Sequence, residues 1–371
     1  MSSAVLQINL NHARRAQDIL IQRMRENSVE IAVIAEPWWV PSGDERWFSS
    51  LGGTSLSAVL VGENGRPCSL VCRGLFYVAV KWGDSLVVSV YFPPSENINM
   101  FSRLLDELEE HLETFPTLPA LVAGDFNARF SRWDPKGRSN CRGELLYAWA
   151  NRVNLGLLSR VGCPTCVRPQ GSSVVDLTWG TPAAGVRLSD WRVDQVESLS
   201  DHLYISYSYR HGAAGDRISR PQGRKLPRWK TNSMKEDYLD AALISGEWTG
   251  GNLCGECAAG IDCVDKLVKW AQSTLKQACD MAMSRVRGQI RGSKSTYWWS
   301  DELTKLRAVA TATVRKLSRA RKKKKNSEEI VRCLDARNDA RRALARAIKE
   351  AKKNSWRDLL DSIEEDPWGR P

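Results

Sequence analysis

Several short apolar runs in this chain end abruptly in a polar side chain, and this pattern constrains the fold more than any other feature. Residues 120–123 lead into Gly-Asp-Phe-Asn at 124–127, and residues 196–199 lead into Ser-Asp-His at 200–202. Taken alone, each string could equally well be an ordinary turn or part of a functional site, because Asp and Asn favour turns. Carboxylates, an amide and an imidazole at the ends of buried strands suit metal-assisted phosphodiester cleavage, so the two strings together favour a site.

Other runs repeat the pattern in chain order. The first predicted strand carries Asn9, with Asn11 close behind it, and the apolar run 31–35 ends at Glu36. The run 86–92 carries Tyr91 before two prolines, and 173–179 carries Asp176. Polar groups delivered by several different strands favour one shared crevice.

The alternation of strands and helices predicts an α/β or α+β domain. Candidate strands span 4–10, 30–35, 57–61, 75–81, 86–92, 120–124, 173–179 and 203–209, and candidate helices lie near 13–27, 99–114 and 143–153. Because strands outnumber helices, some neighbours must pair as hairpins, and 75–81 with 86–92 is the clearest case.

Charge divides the 371-residue chain. The first 215 residues have a net charge of −2 and the remainder has +13. Apolar residues make up 42% of the whole chain, which is enough to form a folded core. The near-neutral front half suits a folded enzyme, and the basic back half indicates a polyanionic partner. No long uncharged apolar stretch and no signal-peptide pattern occur, so we expect no membrane span and no secretion.

The basic half is predicted to be largely helical. Residues 212–232 have the composition of a loop, and 260–288 have helical spacing. A helix is expected to start at Ser300, a second at Ser327, and the two to run antiparallel with a turn near Asn326. The basic run at the end of the first helix is predicted to bind DNA or direct nuclear import, and consists of Arg319, Arg321, Lys322, Lys323, Lys324 and Lys325.

The ten cysteines are scattered, and two pairs have metal-site spacing. These are Cys163 with Cys166 and Cys254 with Cys257. A four-ligand zinc site would need a matching downstream pair or suitably spaced histidines, and His211 is the last histidine of the chain. Free thiols are therefore favoured over zinc.

These motifs, taken in order over roughly the first 210 residues, resemble the endonuclease/exonuclease/phosphatase superfamily. Within it the chain resembles the apurinic-endonuclease-like domain of LINE-type (non-LTR) retrotransposons, in their insect-type branch. The resemblance implies an α/β (α+β) four-layer sandwich of two mixed β-sheets flanked by helices, followed by a basic α-helical connector. It implies a nuclease domain over 1–211, a basic linker over 212–295, and over 296–371 a basic helical hairpin leading toward a reverse transcriptase.

The chemistry of the side chains indicates their roles. Glu36 is a hard oxygen ligand suited to Mg²⁺, with Mn²⁺ as an alternative. Asp125 can orient or deprotonate the attacking water, Asn127 can donate to a phosphate oxygen, and His202 can stabilise charge on the scissile phosphate. Tyr91 can donate its hydroxyl to a non-bridging oxygen.

Further roles follow from the resemblance or from position. The family pattern makes Asp176 the acid that orients His202 and brings Asp201 near the metal. Asn9 is expected to orient ligands or phosphate, and Thr165 to reach the DNA backbone. The expected partners are double-stranded DNA and the RNA of the element, in the nucleus or in the cytoplasm before nuclear entry.

The resemblance implies a Mg²⁺-dependent endonuclease whose nick leaves a 3′-hydroxyl for target-primed reverse transcription. No polymerase signature occurs, so the chain is expected to stop before the reverse transcriptase. Two alternatives stay open: an inactive nucleic-acid-binding remnant, and a phosphatase or phosphodiesterase of the same superfamily. Arg129, Arg132, Arg138 and Arg142, which follow Asp125, favour DNA over a small or lipid substrate.

Overall fold

The computed structural model describes residues 2–63, 65–212, 229, 234–250, 261–284, 295–323 and 325–365. The chain divides into two compact units, one made of residues 1–217 with 293–371 and the other of residues 218–292. The C-terminal residues therefore belong to the same unit as the N-terminal ones. Among the described residues, no helix combines the length and the apolar character needed to span a bilayer.

The larger unit contains all fourteen described strands. They are β1 (Ser2–Asn9), β2 (Ile31–Ala35), β3 (Trp47–Ser49), β4 (Ser57–Val61), β5 (Cys68–Arg73), β6 (Tyr77–Trp82), β7 (Ser85–Tyr91), β8 (Ala120–Asp125), β9 (Gly156–Leu157), β10 (Cys166–Arg168), β11 (Gly171–Ser173), β12 (Asp176–Gly180), β13 (Leu188–Val193) and β14 (Ile205–Arg210). Its helices are α1 (Arg14–Glu26), α2 (Ile98–Thr114), α3 (Cys141–Arg152), α4 (Pro182–Gly185), α7 (Asp301–Lys322) and α8 (Ser327–Glu365).

The strands form two mixed six-stranded sheets and a two-stranded ribbon. The first sheet has the order β13-β14-β1-β2-β4-β3 and the second has β5-β6-β7-β8-β12-β9. Only β1–β2 and β7–β8 are parallel pairs, and β10 pairs with β11 in the ribbon. Hairpins thus account for the surplus of strands over helices, and the predicted pairing of 75–81 with 86–92 is confirmed by the β6–β7 ladder.

Apolar residues form a core between the sheets and one on each outer face. Val33 of the first sheet and Leu121 of the second lie in the same buried cluster between the sheets. The outer face of the second sheet is covered by α2 and α3, and that of the first by α1, α7 and α8. This confirms the expected arrangement of two mixed sheets with helices outside them.

The α7–α8 hairpin packs on the first sheet and α1. Trp298, Leu303, Leu344 and Ile348 lie in one buried cluster with Leu20 of α1. The expected cap at the start of α7 is present, because the Ser300 hydroxyl accepts a hydrogen bond from the Leu303 amide. The helices are antiparallel, since the end of α7 packs on the start of α8 and its beginning packs near the middle of α8.

Charged pairs line the edge of this contact. Arg307 of α7 donates through both terminal nitrogens to Glu26 of α1, at 2.8 and 2.9 Å. Lys352 of α8 pairs with Asp18 of α1 at 2.5 Å. The sequence predicted the hairpin as a connector after the domain. The hairpin does follow the domain in sequence, but its apolar side chains also form part of the core of the domain.

The smaller unit is helical where it is described. It contains α5 (Glu236–Gly250) and α6 (Ile261–Ala282), and the amide of Lys235 donates to the carbonyl of Ala282. The predicted helix over 260–288 corresponds to α6. The predicted loop over 212–232 lies largely outside the described residues.

The sequence prediction missed five strands, β3, β5, β9, β10 and β13. The strand expected over 173–179 divides into β11 and β12, because the amides of Val174 and Val175 bond the side chains of Asp134 and Thr165 instead of a neighbouring strand. Strand β5 has no continuous apolar run because it lies at the sheet edge with mainly half-buried and exposed positions.

Candidate active site

Three predicted site residues are direct cross-strand neighbours in the second sheet. Tyr91 of β7 is in register with Asp125 of β8, and Asp125 is in register with Asp176 of β12. Because β7 and β8 are parallel and β12 runs against them, two strand ends and one strand start meet at the same edge. Pairing of β7, β8 and β12 in the sheet therefore places these three polar side chains next to one another.

His202 completes a compact buried cluster. One ligand atom from each of Asp125, Asp176 and His202 lies within 4.8 Å of the others, and all three side chains are buried. His202 Nδ1 bonds Asp176 Oδ2 at 2.7 Å, and its Nε2 lies 3.9 Å from Asp125 Oδ2. Asp176 therefore fixes the orientation of the imidazole, which presents its other nitrogen toward Asp125.

Asn9 and Glu36 bring the first sheet to the same edge. Asn9 Nδ2 donates to Asp125 Oδ2 at 2.9 Å, which ties the end of β1 to the end of β8. Glu36 directly follows β2, and its Oε1 accepts the Tyr91 hydroxyl at 2.7 Å. The Asn127 amide donates to Asp125 Oδ1 at 2.9 Å. Five predicted residues are therefore linked through their side chains, namely Asn9, Asp125, Asn127, Asp176 and His202, and the Glu36–Tyr91 pair lies beside them through the register of Tyr91 with Asp125.

Left-handed backbone conformations concentrate around this edge. The φ angles of Glu36, Asn127, His12 and Leu199 are 48°, 46°, 49° and 57°. Such angles are uncommon for residues other than glycine and cost roughly 1–3 kcal/mol each when the side chain is unsuited to them. The surrounding fold must hold these residues in place, as is typical of functional sites.

Burial and mutual charge shift the protonation of the cluster. Burial, reinforced by the Asp176 carboxylate, raises the pKa of Asp125 to about 6. Burial opposes charge on His202, but the Asp176 carboxylate, together with Cys166 and Asp125, outweighs it, and the pKa of His202 is raised well above its ordinary value. Burial and the Glu36 carboxylate raise the pKa of the Tyr91 hydroxyl, which keeps it a neutral hydrogen-bond donor.

The donor set fits a hard divalent cation. Among the described residues, Asp176 Oδ1 is buried without a hydrogen-bond partner, and a buried carboxylate oxygen requires a cation or a donor there. Oxygen ligands from Asp125 and Asp176 suit Mg²⁺ or Mn²⁺ more than a soft metal. Glu36, which was predicted as the leading metal ligand, does not join this cluster, and its carboxylate contacts Tyr91 and His12. Within the described ranges, cysteines form no comparable group, and Cys254 and Cys257 lie outside those ranges.

Asp201 and Thr165 also lie differently from expectation. Asp201 faces Arg168 and Arg341, at 3.8 and 3.6 Å, instead of joining the cluster of possible metal ligands. Thr165 is fully buried, and its hydroxyl accepts the amides of Val175 and Asp176, so its side chain supports the start of β12 and presents no surface to DNA.

The basic run is divided between free and bound side chains. Arg319, Lys322, Lys323 and Lys325 are exposed. Arg319 donates to the Arg315 carbonyl at 3.2 Å, and Lys325 pairs with Glu329 at 3.4 Å. Arg321 instead donates to the carbonyls of Arg168 and Pro169, at 2.8 and 3.2 Å, in the ribbon of β10 and β11. Lys324 lies outside the described residues.

Sequence reasoning missed some residues at the edge of the site. His12 Nε2 lies 3.5 Å from Glu36 Oε1, and its Nδ1 is 3.0 Å from the Pro37 carbonyl. Ser200 donates to the Asn9 carbonyl at 2.7 Å, which joins the loop before His202 to β1. The sequence signal for a role of His12 was its position three residues after Asn9, at the end of the first predicted strand.

Comparison with known proteins finds similar sequences and structures for the part of the chain that carries this cluster. A family model described as "Endonuclease-reverse transcriptase" matches residues 85–206, the range that carries Tyr91, Asp125, Asp176 and His202. The "Retrovirus-related Pol polyprotein from type-1 retrotransposable element R1" of Bradysia coprophila is 26% identical over 261 residues, which cover 67% of this chain and 25% of that protein.

A solved structure agrees with both sequence matches. The "Endonuclease domain of TRAS1, a telomere-specific non-LTR retrotransposon" is 25% identical, with a TM-score of 0.50 over 56% of this chain and 99% of that domain. These matches make the chain similar to apurinic-endonuclease-like domains of non-LTR retrotransposons. The two mixed sheets with flanking helices match the fold of that endonuclease domain, which supports nuclease activity in general. The chain spans a quarter of the length of the R1 polyprotein.

Proposed function

We propose that this endonuclease domain nicks one strand of duplex DNA in a reaction that requires Mg²⁺ or Mn²⁺. The observation that supports this most strongly is the convergence of Asp125, Asp176 and His202 within 4.8 Å, beside the Glu36–Tyr91 pair. A buried cluster of carboxylates and an imidazole at the ends of strands suits hydrolysis of a phosphodiester with a hard cation bound.

The residues have distinct roles in this proposal. Asp125 orients the attacking water and takes its proton, while Asn9 and the Asn127 amide hold the carboxylate in place. His202, held by Asp176, donates a hydrogen bond to the scissile phosphate. A cation held by Glu36 and the aspartates would neutralise charge on the phosphate and polarise it.

The nick is proposed to serve reverse transcription. The matching family model is described as an endonuclease-reverse transcriptase, and the R1 relative is a Pol polyprotein. We propose that cleavage leaves a 3′-hydroxyl that primes copying of the element's RNA by a reverse transcriptase in the same polyprotein. This role assigns the protein to the nucleus, and the basic run at 319–325 supports import or DNA contact.

Analysis of the reaction products distinguishes the candidate functions. The full chain is incubated with supercoiled plasmid and Mg²⁺, and the nicked circles are then offered to a DNA polymerase with labelled nucleotides. We expect nicked circles whose ends are extended directly, without phosphatase treatment. Intact plasmid with retained DNA binding would indicate an inactive remnant, and release of phosphate from a 3′-phosphorylated oligonucleotide with an intact plasmid would indicate a phosphatase.

The raised pKa of Asp125 predicts a dependence of the nicking rate on pH. Because the pKa lies near 6 instead of the ordinary 3.8, Asp125 binds a proton as the pH falls through 6 and can no longer accept one from water. We expect the single-turnover rate to fall by about tenfold per unit below pH 6. Raising the Mg²⁺ concentration should move the midpoint of this pH profile to lower pH, since a bound cation favours the ionised carboxylate of Asp125. A rate that is flat between pH 5 and 7 would contradict this role.

The exposed lysines predict how binding depends on salt. Replacing Lys322 and Lys323 with alanine should weaken binding to duplex DNA and reduce the log–log salt slope by up to about 1.8, because each phosphate contact contributes about 0.9. Anisotropy titrations of the full chain at several salt concentrations measure both quantities. The effect should be similar for unrelated DNA sequences, because lysines that contact phosphates carry no base specificity.

The matched control for this measurement is Lys305→Ala. Lys305 is an exposed lysine near the start of α7, roughly 26 Å along the helix from Lys322 at 1.5 Å per residue. We expect its loss to leave the slope unchanged. Equal slopes for the double variant and the wild type would mean that Lys322 and Lys323 lie on a solvated helix surface and do not contact DNA.

A further inference from the structure

The loop before His202 contains a buried carboxylate that supports a disfavoured backbone conformation. Glu197 lies between β13 and β14, its side chain has no exposed surface, and its Oε1 accepts the Leu199 amide at 2.7 Å. Leu199 has a φ of 57°, in the left-handed region that L-residues other than asparagine and aspartate seldom adopt. The hydrogen bond from its amide therefore stabilises a conformation that leucine would otherwise leave.

Serine side chains connect this strained residue to the imidazole. The Ser198 hydroxyl donates to the His202 carbonyl at 2.6 Å, and the amide of His202 donates to the Ser200 hydroxyl at 3.2 Å. Ser200 in turn donates to the carbonyl of Asn9, the residue whose side chain bonds Asp125. The conformation of the 197–202 loop therefore determines where His202 lies relative to Asp125.

Two arginines of α8 meet the acidic groups of this loop. Arg337 Nε lies 3.8 Å from Glu197 Oε2, and Arg341 Nε lies 3.4 Å from Glu197 Oε1. Arg341 also reaches Asp201, next to His202, with 3.6 Å between its terminal nitrogen and Asp201 Oδ1. The arginines are four residues apart and so lie on the same side of the helix.

The α7–α8 hairpin holds the same loop and the neighbouring ribbon through further bonds. The Glu197 amide donates to the Thr311 hydroxyl at 3.3 Å, and Arg315 donates to the Gln195 carbonyl at 3.1 Å. On the ribbon side, Arg337 donates to the carbonyl of Val167 at 3.4 Å. The helices thus contact both segments that flank His202.

We propose that Arg337 and Arg341 are positioning residues of the nuclease, which act on His202 through Glu197 and Asp201. The inference rests on the proposed nicking activity, in which His202 contacts the scissile phosphate. Without the arginines the Glu197 carboxylate loses its buried counter-charges, the Leu199 amide loses a fixed acceptor, and the loop can relax away from the left-handed conformation. The basic hairpin is then part of the active-site architecture as well as a source of positive charge.

Arg341→Met in the full chain is the informative substitution. Its side chain is one-fifth exposed, so methionine can keep the apolar stem contacts, whereas loss of the buried Arg337 threatens folding. The matched control is Arg342→Met, because Arg342 is 70% exposed and pairs with Asp339 within α8. Arg341→Lys retains the charge and tests rescue.

Two measurements separate positioning from simple stability. We expect Arg341→Met to lower kcat for nicking by about tenfold, as is usual for residues that orient a catalytic side chain, while KM changes less than about twofold. Arg341→Lys should recover part of that loss, and Arg342→Met should match the wild type. Hydrogen exchange of the Leu199 amide should be faster in Arg341→Met than in the wild type or Arg342→Met.

The outcomes distinguish this inference from the proposed function. An unchanged kcat or an unchanged exchange rate at Leu199 in Arg341→Met would overturn the positioning role. A wild-type chain that fails to nick DNA would refute the proposed function, and amide exchange alone would then decide whether the arginines fix the loop. A uniform increase of exchange across the whole domain would also overturn the inference, because it would indicate a general loss of stability.

Discussion

Replacing His202 or Asp125 with alanine should lower the rate of DNA nicking by at least about a hundredfold. His202 is proposed to stabilise charge on the phosphate, and removal of such a donor typically costs about 10²–10³ in rate. Asp125 is proposed as the general base, whose contribution is typically about 10²–10⁴. Both side chains lie in one cluster, so the double variant should lose less than the product of the single effects.

Plasmid nicking under single-turnover conditions measures these losses, and the chain offers matched controls. His111 lies on α2, where its Nε2 contacts the Tyr77 hydroxyl, and Asp106 is a largely exposed acid on the same helix. His111→Ala and Asp106→Ala should nick at wild-type rates. Near-wild-type rates for both His202→Ala and Asp125→Ala, with an intact circular dichroism spectrum, would mean that the catalytic site lies elsewhere.

Replacing Leu344 with alanine should lower the free energy of unfolding by about 2–5 kcal/mol. Leu344 of α8 is fully buried in the cluster that contains Leu20 of α1 and Ile8 of β1, so its truncation leaves a cavity in the core of the nuclease unit. The control is Leu360→Ala, because Leu360 is 43% exposed near the end of α8 and its loss should cost under about 0.5 kcal/mol.

Urea unfolding of the full chain, followed by far-ultraviolet circular dichroism and by residual nicking activity, measures this effect. If the hairpin and the sheets share one core, the two signals should lose their native values at the same midpoint, and Leu344→Ala should shift both together. A Leu344→Ala variant that loses helical signal early while activity keeps the wild-type midpoint would separate the hairpin from the nuclease unit.

The strands and most of the site could be predicted because their signals are local. Asn9, Glu36, Tyr91 and Asp125 each occur at the end of an apolar run, and runs of that kind pair side by side in a sheet. Strand pairing then aligns the polar ends, so the order of motifs along the chain was sufficient to expect that they meet.

Several of the contacts that escaped prediction are long-range. Asp201 was expected near a metal, but Arg341, 140 residues later in the chain, reaches it. The apolar side of α8 was visible in the sequence, whereas its packing partner, the outer face of the first sheet and α1, was not. Thr165 has the residue type of a DNA contact, and only the structure reveals that two buried amides occupy its hydroxyl.

The proposed hydrolysis, with a hard cation held by Glu36 and the aspartates beside His202, is tested most directly by withdrawing the cation. The rate of plasmid nicking by the full chain is measured in Mg²⁺, then in excess EDTA, and then after Mg²⁺ is restored. We expect nicking to fall to the background rate in EDTA and to recover fully with Mg²⁺ or Mn²⁺. Undiminished nicking in excess EDTA would contradict the proposed reaction.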